Sequence, residues 1–310
     1  MTSPNRFSAQ AVRSLLWRDK NRKVVTVTAG MILLGCPLYL WLPYRVAAVQ
    51  FFIKLGGSRL FIGAEYSPVD GPRYVSYCPS VKIDGYPSNT EVIGLEMNGV
   101  SKAIPVKRIA WHMVFNDEIA GDPAVVTLCT VTNAAMAYRA RHKGRALHFR
   151  PIGLNRNNLV MLDAETQSRW QQFTGKAITG PLAGTELQRI PLQRLSLDQW
   201  QRLHPQGSIL EPLRNDEDTT TPHDTCPVMC YFPSEPFLLQ KPGVEDDRLP
   251  RKQFVLGVIT QRGEKIAYPA AMPDSHQESP SSLRVGCYWF AWAEFFPGSR
   301  IESGGMDHGT

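Results

Sequence analysis

Two stretches of the chain gather side chains able to do chemistry. The first is WHMVFND, residues 111 to 117, followed by the run AVVTLCT that ends near Cys129. A hairpin and a strand could bring His112, Asn116, Asp117 and Cys129 together, and an imidazole beside a thiol suits a metal site or a base-activated thiolate. The plainer alternative makes His112 a backbone-bonded histidine and Cys129 a small buried hydrophobe. The second stretch is HDTCPVMC, which places His223, Cys226, Met229 and Cys230 in one short loop. Soft sulfur ligands beside an imidazole suit copper or another transition metal, so the metal-ligand candidates are His112, Cys129, His223, Cys226, Met229 and Cys230. The spacing of Cys226 and Cys230 fits a local disulfide in an oxidising compartment equally well, and that simpler reading is preferred.

A third segment, MLDAETQSRWQQFTGKAITGPLAGTEL at residues 161 to 187, carries Asp163, Glu165, Ser168 and Trp170. Asp163 and Glu165 could form an acid/base pair, although carboxylates in such a context are more often turn residues. Gly175, Gly180 and Gly184 do not open a helix after a strand, so they read as turn glycines and not as a phosphate loop. No serine nucleophile elbow, zinc-protease helix or paired CxxC element occurs.

The elements that would position these residues read mostly as strands. EVIGLEMNGVSKAIPV, residues 91 to 106, alternates on either side of Asn98-Gly99, a hairpin signature. FVLGVITQRGEKIAYP, residues 254 to 269, resembles it, which suggests a weak internal repeat. Short strands are expected at 124–131, 134–139, 146–150 and 158–163. Helices are few: SLDQWQRLHP, with Ser196 as N-cap and Pro205 as stop, and a second through WFAWAEFF. The fold class is therefore α+β, predominantly antiparallel β with few short helices, in one soluble domain at 86–302 followed by a flexible tail at 303–310.

Ahead of that domain stands an uncharged apolar segment, residues 24 to 44, long enough to cross a hydrocarbon layer of roughly 30 Å. Six cations, Arg6, Arg13, Arg18, Lys20, Arg22 and Lys23, precede it in a tail of 23 residues, and Tyr39, Trp41 and Tyr44 mark its far end. This pattern implies a single-pass helix in the inner (cytoplasmic) membrane, N-terminus cytoplasmic and domain periplasmic. A lipidated Cys36, or cleavage near Val46-Ala47-Ala48, are the rival readings. Residues 45–85 are expected as an interfacial helix running into an irregular arm. The formal charge of +6 resides largely in the basic tail, which points to membrane topology and away from a nucleic-acid partner. Beyond the span lie Cys78, Cys129, Cys226, Cys230 and Cys287, an odd number, with Cys129 the expected unpaired thiol.

The order of the long motifs, from VIGLEMNGVSKAIPVKRIAWHMVFNDEIAGDPAVVTLC through DDRLPRKQFVLGVITQRGEKIAYP to YWFAWAEFFPGS, resembles the prokaryotic family catalogued as domain of unknown function 3179. The resemblance implies an exported or anchored protein and singles out His112, Asn116, Asp117 and Cys129, with Ser168 and Trp170 in the next motif. Relatives commonly carry a CPLCG-like run where this chain reads Cys129, Thr130, Val131, Thr132 and Asn133, so a dithiol is lacking. Three functions follow as expectations: a binding or assembly subunit of a membrane protein complex, with Trp289, Trp292 and Phe296 as surface aromatics; a metal-binding or redox protein; or a thiol enzyme using Cys129 and His112.

Overall fold

A computed structural model describes residues 51–55, 58–62, 69–76, 85–211, 242–269 and 283–302. The expected span at 24–44, Cys36, Cys78 and the loop holding His223, Cys226, Met229 and Cys230 lie outside them. Among the described residues no helix is long and apolar enough to cross a membrane. The described residues are β-rich and mostly antiparallel, and among them are three short helices: α1 (Val106–His112), α2 (Leu197–Leu203) and α3 (Trp289–Phe295).

The centre is a five-stranded sheet ordered Arg189–Ile190, Ala134–Arg139, Asp122–Cys129, Val114–Ile119, Val69–Asp70. Its strands are apolar on both faces because both are covered. Val125, Met136, Tyr138 and Cys129 enter one core, whereas Phe115, Val126, Leu128 and Ala137 enter another. The two-residue period of a strand accounts for this division. On the first side lies a six-stranded sheet ordered Phe51–Leu55, Ser58–Ile62, Phe149–Asn155, Asn158–Asp163, Arg169–Gln171, Lys176–Thr179.

Two similar units flank these sheets. In the first, the hairpin of Glu91–Met97 and Val100–Pro105 pairs antiparallel with Leu192–Ser196, which runs directly into α2. The following strand, Ser208–Leu210, pairs parallel to the hairpin with Ile209 opposite Ala103. In the second, Phe254–Ile259 pairs antiparallel with both Lys265–Pro269 and Leu283–Tyr288, the latter running into α3, and Arg300–Ile301 returns parallel with Ile301 opposite Ala267. In each unit a tryptophan of the helix lies flat on a glycine of the hairpin: Trp200 on Gly94 and Trp292 on Gly257. A Cβ at either glycine would overlap the indole ring. Glycine is thus required for close approach and not for turning. The matching register aligns Val92, Gly94, Ala103 and Pro105 with Val255, Gly257, Ala267 and Pro269. It aligns Lys102 with Ile266, so the similar-looking Lys265 is not its counterpart.

Between the hairpin and the strand Leu192–Ser196 of the first unit lie residues 106–191, which supply α1, four of the five strands of the central sheet and most of the six-stranded sheet. The second unit has only residues 270–282 at that point. The first unit is therefore interrupted by an insertion, and the residues singled out for chemistry up to Trp170 all lie within it.

Three expectations are corrected. The segment read as an interfacial helix contains a hairpin, Phe51–Leu55 with Ser58–Ile62, because its aromatic and β-branched residues complete a sheet edge. The irregular arm supplies two edge strands, Val69–Asp70 and Tyr74–Ser76. Trp289 and Trp292 are wholly buried in the main core and Phe296 is half-buried against it, so this cluster is packing material and not surface.

Candidate functional site

Cys129 ends the strand Asp122–Cys129, and residues 130–133 turn the chain into Ala134–Arg139, with Cys129 paired to Ala134. Asn133 has φ of 53°, the left-handed region that glycine occupies most easily and asparagine tolerates best after it. The turn folds the Thr132 hydroxyl back toward the Cys129 thiol. Burial raises the thiol pKa, and the hydrogen bonds from Thr132 and the backbone of Leu159 and Val131 only partly oppose it. Cys129 is 1% exposed, so it is a protonated, enclosed thiol and not a poised thiolate.

The turn is also clamped from outside. Thr132 accepts from Asn158 Nδ2 at 3.3 Å, and its carbonyl accepts from the Tyr288 N–H at 2.8 Å. The Arg194 guanidinium donates to the Asn133 carbonyl and Oδ1 at 3.0 and 2.9 Å while pairing with Glu91. Behind it runs a buried amide network: Gln172 Nε2 donates to Thr127 Oγ1 at 3.1 Å, and Asn158 is bonded to both Gln171 and Gln172.

His112, Asn116 and Asp117 do not converge on the thiol. His112 closes α1, half-buried, with its ring edge-on to Phe115 at 5.9 Å. Asn116 and Asp117 are consecutive in one strand and so point to opposite faces. Asn116 is a splice: Nδ2 donates to Asp70 Oδ1 at 2.6 Å and to the Phe149 carbonyl at 2.9 Å, and Oδ1 accepts from the Phe149 N–H at 2.8 Å. Asp117 accepts from Lys102 Nζ at 2.9 Å and Tyr74 Oη at 2.8 Å, and Lys102 lies 4.2 Å from the Tyr74 ring centroid. Burial first, then the Asp117 charge, raises the Tyr74 pKa well above the usual phenol value. These groups hold the central sheet to the first unit.

The DAETQSRW run is a locked loop. Asp163, 0% exposed, accepts from Thr166 Oγ1 at 2.8 Å, the Ser168 N–H at 3.2 Å and Trp170 Nε1 at 2.7 Å. Ser168 Oγ accepts from the Leu182 N–H at 3.0 Å. Glu165 points away to His148, 2.7 Å from Nδ1. Burial would raise its pKa, but hydrogen bonds from the His148 ring and N–H outweigh that and lower it. Asp163 and Glu165 therefore serve separate bonds and are not a pair.

A family model described as a protein of unknown function (DUF3179) matches residues 68–280, spanning the first unit, its insertion and the second hairpin. The chain belongs to the DUF3179 family. No curated protein and no solved structure matches it. Within the matched region the Cys129 turn places the Thr132 hydroxyl against the thiol and holds Asn133 in a glycine-like conformation.

Among the described residues no group of three or more His, Cys, Asp or Glu is arranged to hold a metal. Cys287, like Cys129, is a buried thiol whose pKa burial raises. Among the described residues an open concavity lies elsewhere, a cavity of about 750 Å³ whose lining includes Val244, Glu245, Asp247, Leu249, Arg251 and Phe290. Its walls mix Leu249, Pro250 and Phe290 with Glu245, Asp247 and Arg251. Its signal was the run EDDRLPRK, whose mixed charge beside α3 the backbone bends into a wall: the Trp289 and Phe290 N–H groups donate to the Gln253 and Arg251 carbonyls.

Proposed function

We propose that this DUF3179 protein is a membrane-tethered binding or assembly domain in which the Cys129 turn has become structural. The observation that carries this reading is the full internal use of the polar candidates. Asn116, Asp117, Asp163, Ser168 and Thr132 all spend their hydrogen bonds on the fold, and the thiol is enclosed with a raised pKa. Catalytic groups instead need access and unsatisfied capacity toward a substrate. The cavity beside Leu249 and Phe290, of a size that suits a small molecule or a peptide side-chain cluster, supports a binding role. The apolar segment at 24–44 supplies the tether.

The test is purification of the full chain in mild detergent and native mass spectrometry of what accompanies it, for wild type and for Leu249→Trp, which fills the cavity. A companion held by the wild type and lost from the variant is the expected result. A monodisperse chain with no companion, or a companion retained equally by both, would sink the proposal.

A further inference from the structure

Residues 139–150, RARHKGRALHFR, contain five arginine and lysine residues, two histidines and no carboxylate. The structure makes a projecting hairpin of the middle of this run. Arg141–His142 pairs with Arg145–Ala146 across Lys143-Gly144, both at positive φ, 46° and 80°, a tight two-residue turn. Arg141, Lys143, Arg145 and Arg150 are exposed. The nearby carboxylates are already committed: Asp122 to Arg139 and Arg141, Glu165 to His148, Asp163 to its buried loop. Lys143, Arg145 and Arg150 have no carboxylate partner among the described residues. Most other cations do, as in Arg194–Glu91, Arg156–Glu294, Lys102–Asp117 and Arg248–Asp246. The patch extends along the sheet, since Arg150, Leu162 and Arg169 stand opposite one another on three adjacent strands.

Two geometric facts identify the partner. First, the cations do not line a groove. Arg141 and Arg145 alternate between the two faces of the hairpin and Lys143 stands at its tip, an arrangement suited to an extended plane of negative charge and not to a small anion. Second, the hairpin lies at the end of the six-stranded sheet where the N-terminal segment enters. Leu60 pairs with Gly153 and Arg59 with Leu154, so Ile62, and Phe51 opposite it, lie toward the Phe149–Arg150 end. Only residues 45–50 separate Phe51 from the apolar segment, at most about 25 Å of extended chain.

We infer that the Arg141–Arg145 hairpin, extended by Arg150, is a contact surface for the anionic phospholipid headgroups of the membrane in which the chain is tethered. This rests on the tether proposed above. Each cation at an anionic surface contributes about a fivefold change in partitioning, about a hundredfold for three, and the effect weakens as salt screens it.

The experiment holds the full chain in nanodiscs of phosphatidylcholine and measures co-sedimentation with vesicles of phosphatidylcholine alone or containing phosphatidylglycerol. The expected result is binding to the phosphatidylglycerol vesicles only. It should fall about a hundredfold in Lys143→Asn/Arg145→Gln/Arg150→Gln, be retained in Arg145→Lys/Arg150→Lys, and disappear at high salt. Asparagine at 143 keeps the positive-φ turn, and circular dichroism of each variant separates lost charge from lost fold. Equal binding to both vesicles, or an unaffected triple variant, overturns the inference and leaves the tether standing. Capture by immobilised heparin without vesicle binding assigns the hairpin to a soluble polyanion and also overturns it. A chain that never enters the nanodiscs refutes the tether itself.

Discussion

Thr132→Cys tests the reading of the Cys129 turn directly. If Thr132 occupies the place of a second cysteine, the new thiol will lie against Cys129 and the pair will oxidise. Closing a loop of four residues removes chain entropy worth about 2 kcal/mol at 25 °C in the loop-entropy estimate. Against this stands the hydroxyl that Asn158 now uses at 3.3 Å. Its loss costs about 1 kcal/mol or less, because Asn158 Nδ2 keeps its 2.6 Å bond to Gln172. The oxidised variant should therefore be more stable than wild type by about 1 kcal/mol, and the reduced variant less stable by a similar amount. Urea midpoints with and without reductant read the difference, and mass spectrometry after alkylation in denaturant counts the thiols. An oxidised variant that keeps both thiols alkylatable would show that the turn does not bring positions 129 and 132 together, and the link to a dithiol relative would fall.

The two flanking units give a further comparison. Trp292 Nε1 donates to Ser299 Oγ at 2.9 Å, whereas the equivalent Trp200 Nε1 is buried with no partner and Gly207 stands at the serine position. Ser299→Ala should cost about 1–3 kcal/mol by orphaning a buried N–H, and Gly207→Ser should add about 1 kcal/mol, both read as urea midpoints. Gly94→Ala and Gly257→Ala should each destabilise by about 1–3 kcal/mol or more through overpacking against the indoles, and unchanged midpoints would refute the stacking. His204 has Nδ1 3.0 Å from Ser101 Oγ and 3.4 Å from Glu96, and stacks on Trp200. Burial lowers its pKa, and the Glu96 charge only partly restores it. The unfolded chain then binds the proton more readily, so this contribution to stability is complete above the ordinary value of 6.5 and declines as pH falls toward the lower folded pKa. His204→Gln should flatten that part of the pH–stability profile; an unchanged slope would assign it to another group.

What the sequence disclosed and what it hid follow a physical pattern. The Asn98-Gly99 hairpin and α2 were legible because their signals are local: two positive-φ residues, and a capping box in which Ser196 and Gln199 bond reciprocally. Helix α1 was missed because it is only seven residues long and follows Pro105 within a run that reads as strand. Its burial of Val106, Ile109 and Ala110 has helical spacing but too few repeats to stand out. The hairpin at 51–62 was hidden by its neighbour, since an apolar run after an anchor looks interfacial, although the Gly56-Gly57 dipeptide was a turn signal. The candidate site failed for a different reason. Residue type and proximity in sequence placed Asn116 and Asp117 together, but adjacent strand residues face apart, and only the partner sheets decide what each one bonds.

The Cys129 turn stands where three parts of the fold meet. The insertion that carries it is held by both flanking units at that turn. Arg194 of the first unit reaches the Asn133 carbonyl and side chain, and Tyr288 of the second donates its N–H to the Thr132 carbonyl. Arg194 also lies 5.4 Å from the Phe254 ring centroid of the second unit, so one guanidinium touches all three parts. A turn so placed is constrained by packing whatever its chemistry. Replacing a cysteine by threonine keeps a small side chain with a hydrogen-bonding tip, and replacing glycine by asparagine keeps positive φ. Arg194→Met therefore makes the sharper test of this role. It deletes the bonds to Asn133 and leaves the partly exposed Glu91 without its partner, so it should destabilise by about 1–3 kcal/mol, between the range of a surface pair and that of a buried one. Glu91→Gln/Arg194→Met should recover part of that loss. If the single substitution costs under about 1 kcal/mol, the range of a surface pair, the turn is not the junction that joins the two units.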